Sequence, residues 1–427
     1  MKIWIIGTWY VWLIQAVWLA KLWHEIVSLD IDENKIKELK SWKAIIYEPG
    51  LEELLEGVKD NISFTVSYKD LDNCEIIFVA VWTPQDRRWR TNKDFIHKAA
   101  ISIKKNLSWE KVIILKSTVP VGTNKEVSEI LWEKFYVISN PEFLREGKAI
   151  DDFFNPDRVV VWFNINEKET IKEKVRQMYS WFIKKNIPYI ETNWETAELI
   201  KYAANSFLAM KISFINELAR LADQTWANIQ VLAKWIGLDK RIWESFLNAW
   251  LWYWWSCFPK DVKSLIHQFK ENWLDWELVQ CTDKVNQKQL IYFFEKIEKF
   301  YDDIEGKRFL LLWLAFKPDT DDLRESRSIE IAKMLNEKWA KIYWFDYIKK
   351  AMDNVKQQFD FIKVVDDIYS VNNLDGIIIW TEYKQFNDLD WDKLKDNTNI
   401  PVIFDWRNIL DKEKLKKVGF IYKGIWV

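Results

Sequence analysis

Cys257 stands in the stretch "WLWYWWSCFPKD", with Lys260 and Asp261 close behind it and four tryptophans within the six residues that begin at Trp250. A thiol flanked by charge can be a nucleophile, because neighbouring charges set how much of it is thiolate. Taken alone, such a cysteine is as readily a small buried hydrophobe. Cys74 and Cys281 have no comparable surroundings and keep that plain reading. Lys201 and Asn205 are four residues apart in a helical pattern, so they share a face.

At the N-terminus, "IIGTWYVWLIQAVWLA" leads from a strand pattern into a helix pattern, and the next strand ends at Asp30. Gly7, Trp9 and Trp12 have the spacing of G-x-G-x-x-G, with Tyr10 and Val11 between the second and third positions. With glycine at Trp9 and Trp12, the segment becomes a dinucleotide loop: a tight turn, a helix N-terminus for a pyrophosphate, and a carboxylate for ribose hydroxyls. The uncharged run over 3–20 contains Gly7, Thr8 and Gln15, which argues against a membrane span.

That condition on glycine follows from the composition. The chain of 427 residues contains 29 Trp and 10 Gly, whereas ordinary usage of about 7% would give roughly 30 glycines. The excess of one matches the deficit of the other. Trp23 and Trp339 fall between a helix end and a strand start, where a left-handed C-cap favours glycine. Trp82 lies at a strand exit, and Trp226, Trp273 and Trp276 lie among polar loop and helix-end residues. Such sites suit positive φ or close backbone approach better than an indole. The expectation is that glycine occupies these positions in the working protein, through UGA codons read as glycine. The alternative is that the tryptophans are literal.

The remaining composition bounds the chemistry. There are 62 basic and 64 acidic residues, so no basic excess exists to hold nucleic acid. Three separated cysteines point to a reducing, cytoplasmic setting rather than a disulfide framework. His24, His97 and His267 are scattered, so no metal site is expected.

Elements that position these residues can be read from periodicity. Strands are expected at 75–81, 111–118 and 158–163, within a doubly wound α/β segment over 1–194. Residues 195–300 read as helical. A second α/β cycle over 301–427 begins at "GKRFLLLWLAFKP" and continues through "AKIYWFD", "DGIIIWTE" and "PVIFDWRN". The expected fold is thus α/β, with two Rossmann-type doubly wound domains joined by a central helical region.

"YEPGLEELL", "KSTVPVGT", "NPEFLREGKAIDDFFNPDR", "KYAANSFLAMKISFINE", "IGLDKRIWESF", "SCFPKD", "LAFKPDTDDLRES" and "FDWRN" follow in order along the chain. On this string, the sequence resembles the UDP-glucose/GDP-mannose dehydrogenase family from end to end. Its departures fall overwhelmingly at tryptophans.

The resemblance implies an NAD domain at the N-terminus, a central dimer-forming region and a C-terminal domain for the UDP moiety. It also implies oxidation of a sugar C6 alcohol to a carboxylate with reduction of two NAD, and the motif string favours UDP-glucose. GDP-mannose and UDP-N-acetylmannosamine remain alternative substrates. With literal tryptophans, an inactive nucleotide-sugar-binding protein remains. A surface polysaccharide pathway is one use for the product.

By the same resemblance, Cys257 carries a thiohemiacetal and then a thioester, while Lys201 and Asn205 stabilise charge on the C6 oxygen. Asp261 and Thr118 place water, and Glu142 assists hydrolysis. NAD contacts fall to the Gly7–Trp12 loop, Asp30, Lys35, Thr83, Thr118, Glu146 and Arg324. Substrate contacts fall to Glu142, Lys201, Asn205, Phe246, Tyr253, Trp254, Lys317 and Arg407, with Arg241 reaching across a homodimer interface. No membrane partner is expected.

Overall fold

The computed structural model describes residues 1–427 except 9, 47, 108–109, 133–134, 146, 164–166, 250–252, 254–256, 313–322, 324–325, 381–382 and 425–427. Trp9, Glu146, Trp254, Lys317 and Arg324, all expected at the site, lie outside the described residues, as does the side chain of Tyr10. Two compact units form: Met1–Ala204 with Lys263–Leu274, and Asn205–Val262 with Asp275–Val427.

The first unit is built on strands β1 (Lys2–Ile6), β2 (Glu25–Leu29), β3 (Ile62–Thr65), β4 (Ile76–Val79), β5 (Lys111–Leu115), β6 (Phe135–Ser139), β7 (Val159–Trp162) and β8 (Tyr189–Thr192). They form one sheet in the order β3-β2-β1-β4-β5-β6-β7-β8. Every pairing is parallel except β6 with β7. The inner strands are runs such as "IIFV" and "KVIIL", buried along their whole length, as a parallel sheet covered on both faces requires. Edge strand β8, "YIET", is half exposed and carries a charge, which blunts an open edge. Core residues Leu13, Val17 and Leu19 of the helix Tyr10–Lys21 pack on one face, and Ile96, Ala100 and Ile103 of the helix Asp94–Asn106 belong to a second cluster.

In the second unit, β9 (Arg308–Leu312), β10 (Lys341–Phe345), β11 (Ile362–Val364), β12 (Gly376–Ile379), β13 (Val402–Asp405) and β14 (Ile421–Gly424) make a sheet ordered β11-β10-β9-β12-β13-β14. All of its pairings are parallel. The expected two Rossmann-type sheets and intervening helices are therefore present. The helices include Trp194–Thr225, Phe258–Glu271 and Glu277–Glu298. Strands β3, β6, β8, β11 and β14 escaped the sequence reading because each is short and carries polar residues. No helix among the described residues is long and apolar enough to cross a membrane.

The tryptophans do not behave as indoles usually do. Trp23, Trp42, Trp89, Trp132, Trp226, Trp243, Trp273 and Trp339 have φ between 57° and 67°. At Trp23, Trp42, Trp273 and Trp339 the surrounding hydrogen bonds form a Schellman motif. Trp23 N donates to Ala20 O, for instance, and His24 N to Leu19 O. The residue at this left-handed position is usually glycine. Trp226 and Trp273 are 97% and 95% exposed, so no packing compensates the backbone cost of about 1–2 kcal/mol that a Cβ incurs there.

Buried indoles show a second anomaly. Among the described residues, the Nε1 groups of Trp4, Trp18, Trp162, Trp344, Trp380 and Trp406 find no acceptor, although a buried N–H normally has one. Positive φ does not account for two of the tryptophans that the sequence singles out. Trp82 is not in the left-handed region, and Trp276 has φ −140° as the residue preceding a helix. Polar neighbours alone do not distinguish a helix start from a helix end.

Candidate active site

Gly7 follows β1 at φ +102°, and a Cβ there would lie 2.3 Å from the carbonyl oxygen of Ala80. Only glycine fits, because β1 and β4 approach too closely for a side chain. Thr8 follows, donating through N and Oγ1 to Asp30 Oδ2 at 2.9 and 2.7 Å. Asp32 N donates to Asp30 Oδ1 at 3.0 Å. Asp30 is thus fixed at the carboxyl end of β2 and accepts three hydrogen bonds, out of about four that a carboxylate can take. The tight turn, the helix beginning at Tyr10 and the oriented carboxylate fit a dinucleotide. Trp12, at the third fingerprint position, is buried in the helix-to-sheet core, and Val11 is half-buried. Lys35 lies half-buried in the first turn of the helix Glu33–Lys40.

Across β4 and β5, Thr83 Oγ1 donates to Thr118 O at 3.1 Å. Thr118 is half-buried in the loop after β5. Glu142, just beyond β6, receives Leu144 N at 2.6 Å on one oxygen and faces Lys201 Nζ at 3.3 Å with the other. Lys201 also lies 5.1 Å from the centroid of the Phe143 ring.

Behind this pair is a residue that the sequence reading quoted but did not single out. Lys116 is fully enclosed and donates to Asn140 Oδ1 at 2.9 Å. Asn140 Nδ2 donates to Val160 O, and Tyr179 OH donates to Asn140 Oδ1. Burial pulls the Lys116 ammonium down to about 8; Glu142 opposes that shift and Lys201 adds to it. A lysine directly after an apolar inner strand is the signal that could have found it.

In the second unit, Cys257 is half-buried immediately before the helix Phe258–Glu271. Free N–H groups at a helix start favour negative charge. Asp261 N donates to Cys257 O at 2.8 Å and closes the first turn. The Asp261 carboxylate is fully buried, receiving Asn205 Nδ2 at 2.6 Å and Lys260 Nζ at 2.5 Å. Asn205 and Asp261 are thus in direct contact, a pairing that the sequence did not suggest.

Other expected contacts are more dispersed. Tyr253 is fully buried; its backbone is paired with the Asn286 side chain and its hydroxyl faces Asp283 at 3.4 Å. Tyr253 is thereby anchored to the helix Glu277–Glu298. Phe246 has φ +67° and packs 6.1 Å from the Phe258 ring. Arg241 is exposed and paired with Asp239. Arg407 donates through Nε to Trp380 O at 2.8 Å, while buried Asp405 organises its loop by accepting from the backbone of Arg407, Ile409 and Leu410. Among the described residues, no group of side chains could hold a metal ion.

The NAD-binding domain of the UDP-glucose/GDP-mannose dehydrogenase family matches residues 1–183, its central domain 195–288 and its UDP-binding domain 310–412. The chain belongs to the UDP-glucose/GDP-mannose dehydrogenase family. Members of this family are NAD-dependent oxidoreductases, and this chain is one of them. A UDP-glucose 6-dehydrogenase of Rhizobium meliloti is 38% identical over 100% of this chain and 99% of its own length. One of Rickettsia felis is 37% identical over 100% and 96%. The structure of a UDP-glucose dehydrogenase from Pyrobaculum islandicum superimposes with TM-score 0.89 at 32% identity, covering 99% of this chain and 97% of that one. A UDP-D-ManNAc dehydrogenase from Pyrococcus horikoshii shares the fold, at 23% identity and TM-score 0.86 over 100% and 99%.

Proposed function

We propose that this family member oxidises the C6 alcohol of UDP-glucose to the carboxylate of UDP-glucuronate. The observation that carries the reading is the placement of Cys257 at a helix start whose first turn is closed by Asp261, itself held by Asn205 and Lys260. UDP-glucose is favoured over other nucleotide sugars because relatives named for it are 37% and 38% identical over the whole chain. We further propose the division 1–194 for NAD, 195–300 for dimerisation and catalysis, and 301–427 for the UDP moiety.

Bound NAD supplies a hydride acceptor twice per sugar. In the first oxidation, the C6 alcohol loses a hydride and a proton and becomes an aldehyde. Lys201 and Asn205 stabilise negative charge on its oxygen. Cys257 Sγ then bonds to C6 as the C=O π bond opens, and the thiol proton ends on the C6 oxygen. The resulting thiohemiacetal loses a second hydride and a proton and becomes a thioester. Asp261, Lys201 and Thr118 position water, and Glu142 accepts its proton as the S–C bond breaks. Covalent capture keeps the aldehyde in place between the two oxidations. Arg407, Phe246, Lys317, Tyr253 and Trp254 contact the nucleotide sugar, while Glu146, Arg324, Lys35 and Thr83 line the NAD site.

A homodimer places Arg241 at the partner's site. Phe207, Phe214 and Leu221 repeat every seven residues on the helix Trp194–Thr225 and are 58%, 52% and 60% exposed. That stripe suits a second copy of the same helix. No disulfide forms among Cys74, Cys257 and Cys281, in keeping with a reducing cytoplasm, where the uronate would serve surface polysaccharide synthesis.

The working polypeptide carries glycine where this sequence shows most of its tryptophans. Four Schellman positions and six acceptorless buried indoles support this. UGA at these codons is the expected finding; UGG would leave a literal Trp12 and a crowded thiol, and so a protein that binds without turnover.

The reaction is tested by incubating the glycine form with NAD and each candidate sugar. Two NADH per UDP-glucose, with UDP-glucuronate as product, is the expected result. Faster turnover of GDP-mannose or UDP-N-acetylmannosamine would reassign the substrate.

A further inference from the structure

Glu198 is buried in the first unit, three residues before Lys201 on the helix Trp194–Thr225. Its carboxylate accepts three hydrogen bonds: from Gly122 N at 2.6 Å, Asn124 N at 2.8 Å and Asn124 Nδ2 at 2.6 Å. These donors belong to the start of the helix Thr123–Leu131. The residue at its N-cap position is Gly122 at φ +93°, which has no side chain to satisfy the first N–H groups. The cap therefore comes from a residue 76 positions away in sequence. Burial pushes the Glu198 carboxyl up to about 7, and the Asn124 and Gly122 donors oppose that rise.

The capped helix is continuous with the short loop of Thr118. That loop is held elsewhere by hydrogen bonds from Ser117 Oγ to Val81 O at 2.7 Å, from Thr83 Oγ1 to Thr118 O at 3.1 Å and from Val121 N to Gln268 Oε1 at 2.9 Å. Residues three apart on a helix lie on one face. Glu198 and Lys201 therefore leave the same side of their helix, one gripping the end of the Thr118 loop and the other pairing with Glu142. We propose that Glu198 is a positioning residue that fixes the Thr118 loop in register with the Lys201 ammonium. The role rests on the reaction proposed above. It goes beyond that reaction because Glu198 is too enclosed by its own donors to meet the sugar. Ordinary helix capping explains the hydrogen bonds, but not why the cap is supplied by the helix that carries Lys201.

The test compares the full-length glycine form with Glu198→Gln, Thr118→Ala and the double variant. Glu198→Gln should lower kcat about tenfold while KM for NAD and UDP-glucose stays within about twofold, as expected for a misplaced group. In the Thr118→Ala background it should cost little more, because the two residues act as one unit. Amide exchange at Gly122 and Asn124 should accelerate. Additive losses, or kcat within about twofold of the parent despite faster exchange, would reduce Glu198 to a structural cap. If the parent itself shows no turnover, the reaction reading fails separately. Exchange then decides, and unchanged protection across 116–124 in Glu198→Gln overturns the clamp.

Discussion

Lys201 Nζ lies 3.3 Å from Glu142 Oε1, and the two side chains are only 4% and 9% exposed. Removing one member of such a pair leaves a buried charge uncompensated, at a cost of about 3–5 kcal/mol. Glu142→Gln or Lys201→Met alone should therefore lower stability by several kcal/mol. The double variant should recover much of that loss while turning over no sugar. Urea denaturation beside an NADH assay checks both statements; a double variant as unstable as the summed singles would contradict the pairing.

The left-handed tryptophans make a stability prediction with an internal control. Trp23→Gly, Trp273→Gly and Trp339→Gly should each stabilise the chain by about 1 kcal/mol, since a Cβ at such a position costs about that much. These side chains are 85%, 95% and 76% exposed and give up little packing. Trp276→Gly, at φ −140°, should show no comparable gain. Thermal melts of the four single variants decide the matter.

Asp346 follows β10, fully enclosed, with Oδ1 receiving Ile348 N. Burial pushes its carboxyl from an ordinary 3.8 to about 8. Between those values the folded state keeps a proton that the unfolded chain has released. This group therefore makes stability fall as pH rises from about 4 to about 8, and its contribution is flat beyond. Asp346→Asn removes the effect, so its advantage over the parent should grow across that window. A melting-temperature difference that shrinks from pH 5 to pH 8 would show that the carboxyl is already ionised when folded.

Cys257→Ala should abolish formation of the carboxylate while leaving NAD binding intact. Any residual oxidation should stop at one NADH per sugar, because no thiohemiacetal forms to give up the second hydride. Counting NADH against sugar consumed, with product analysis, provides the check. Two NADH per sugar from this variant would remove the thiol from the mechanism.

The parts of the site that could be read in the sequence are those fixed by local geometry. Gly7 and Asp30 follow from a strand-turn-helix pattern, and Asp261 follows Cys257 by one helical turn. Trp23 and Trp339 were legible because a left-handed C-cap depends on only a few neighbouring residues. What escaped depends on distant approach. Glu198 meets Gly122 only after the sheet and long helix have formed, and Lys116 finds Asn140 only once β5 and β6 pair. Trp276 misled because polar sequence surrounds both ends of a helix. Buried Asp405 lay inside a quoted motif, yet nothing local revealed that it organises the Arg407 loop.

The most direct measurement is mass mapping of the peptide spanning 250–261, from protein purified from its native host and acid-quenched during turnover with NAD and UDP-glucose. The account predicts glycine masses at positions 250, 252, 254 and 255, together with a sugar-derived acyl adduct on Cys257. Tryptophan masses there, or a thiol that stays unmodified while NADH accumulates, would contradict it.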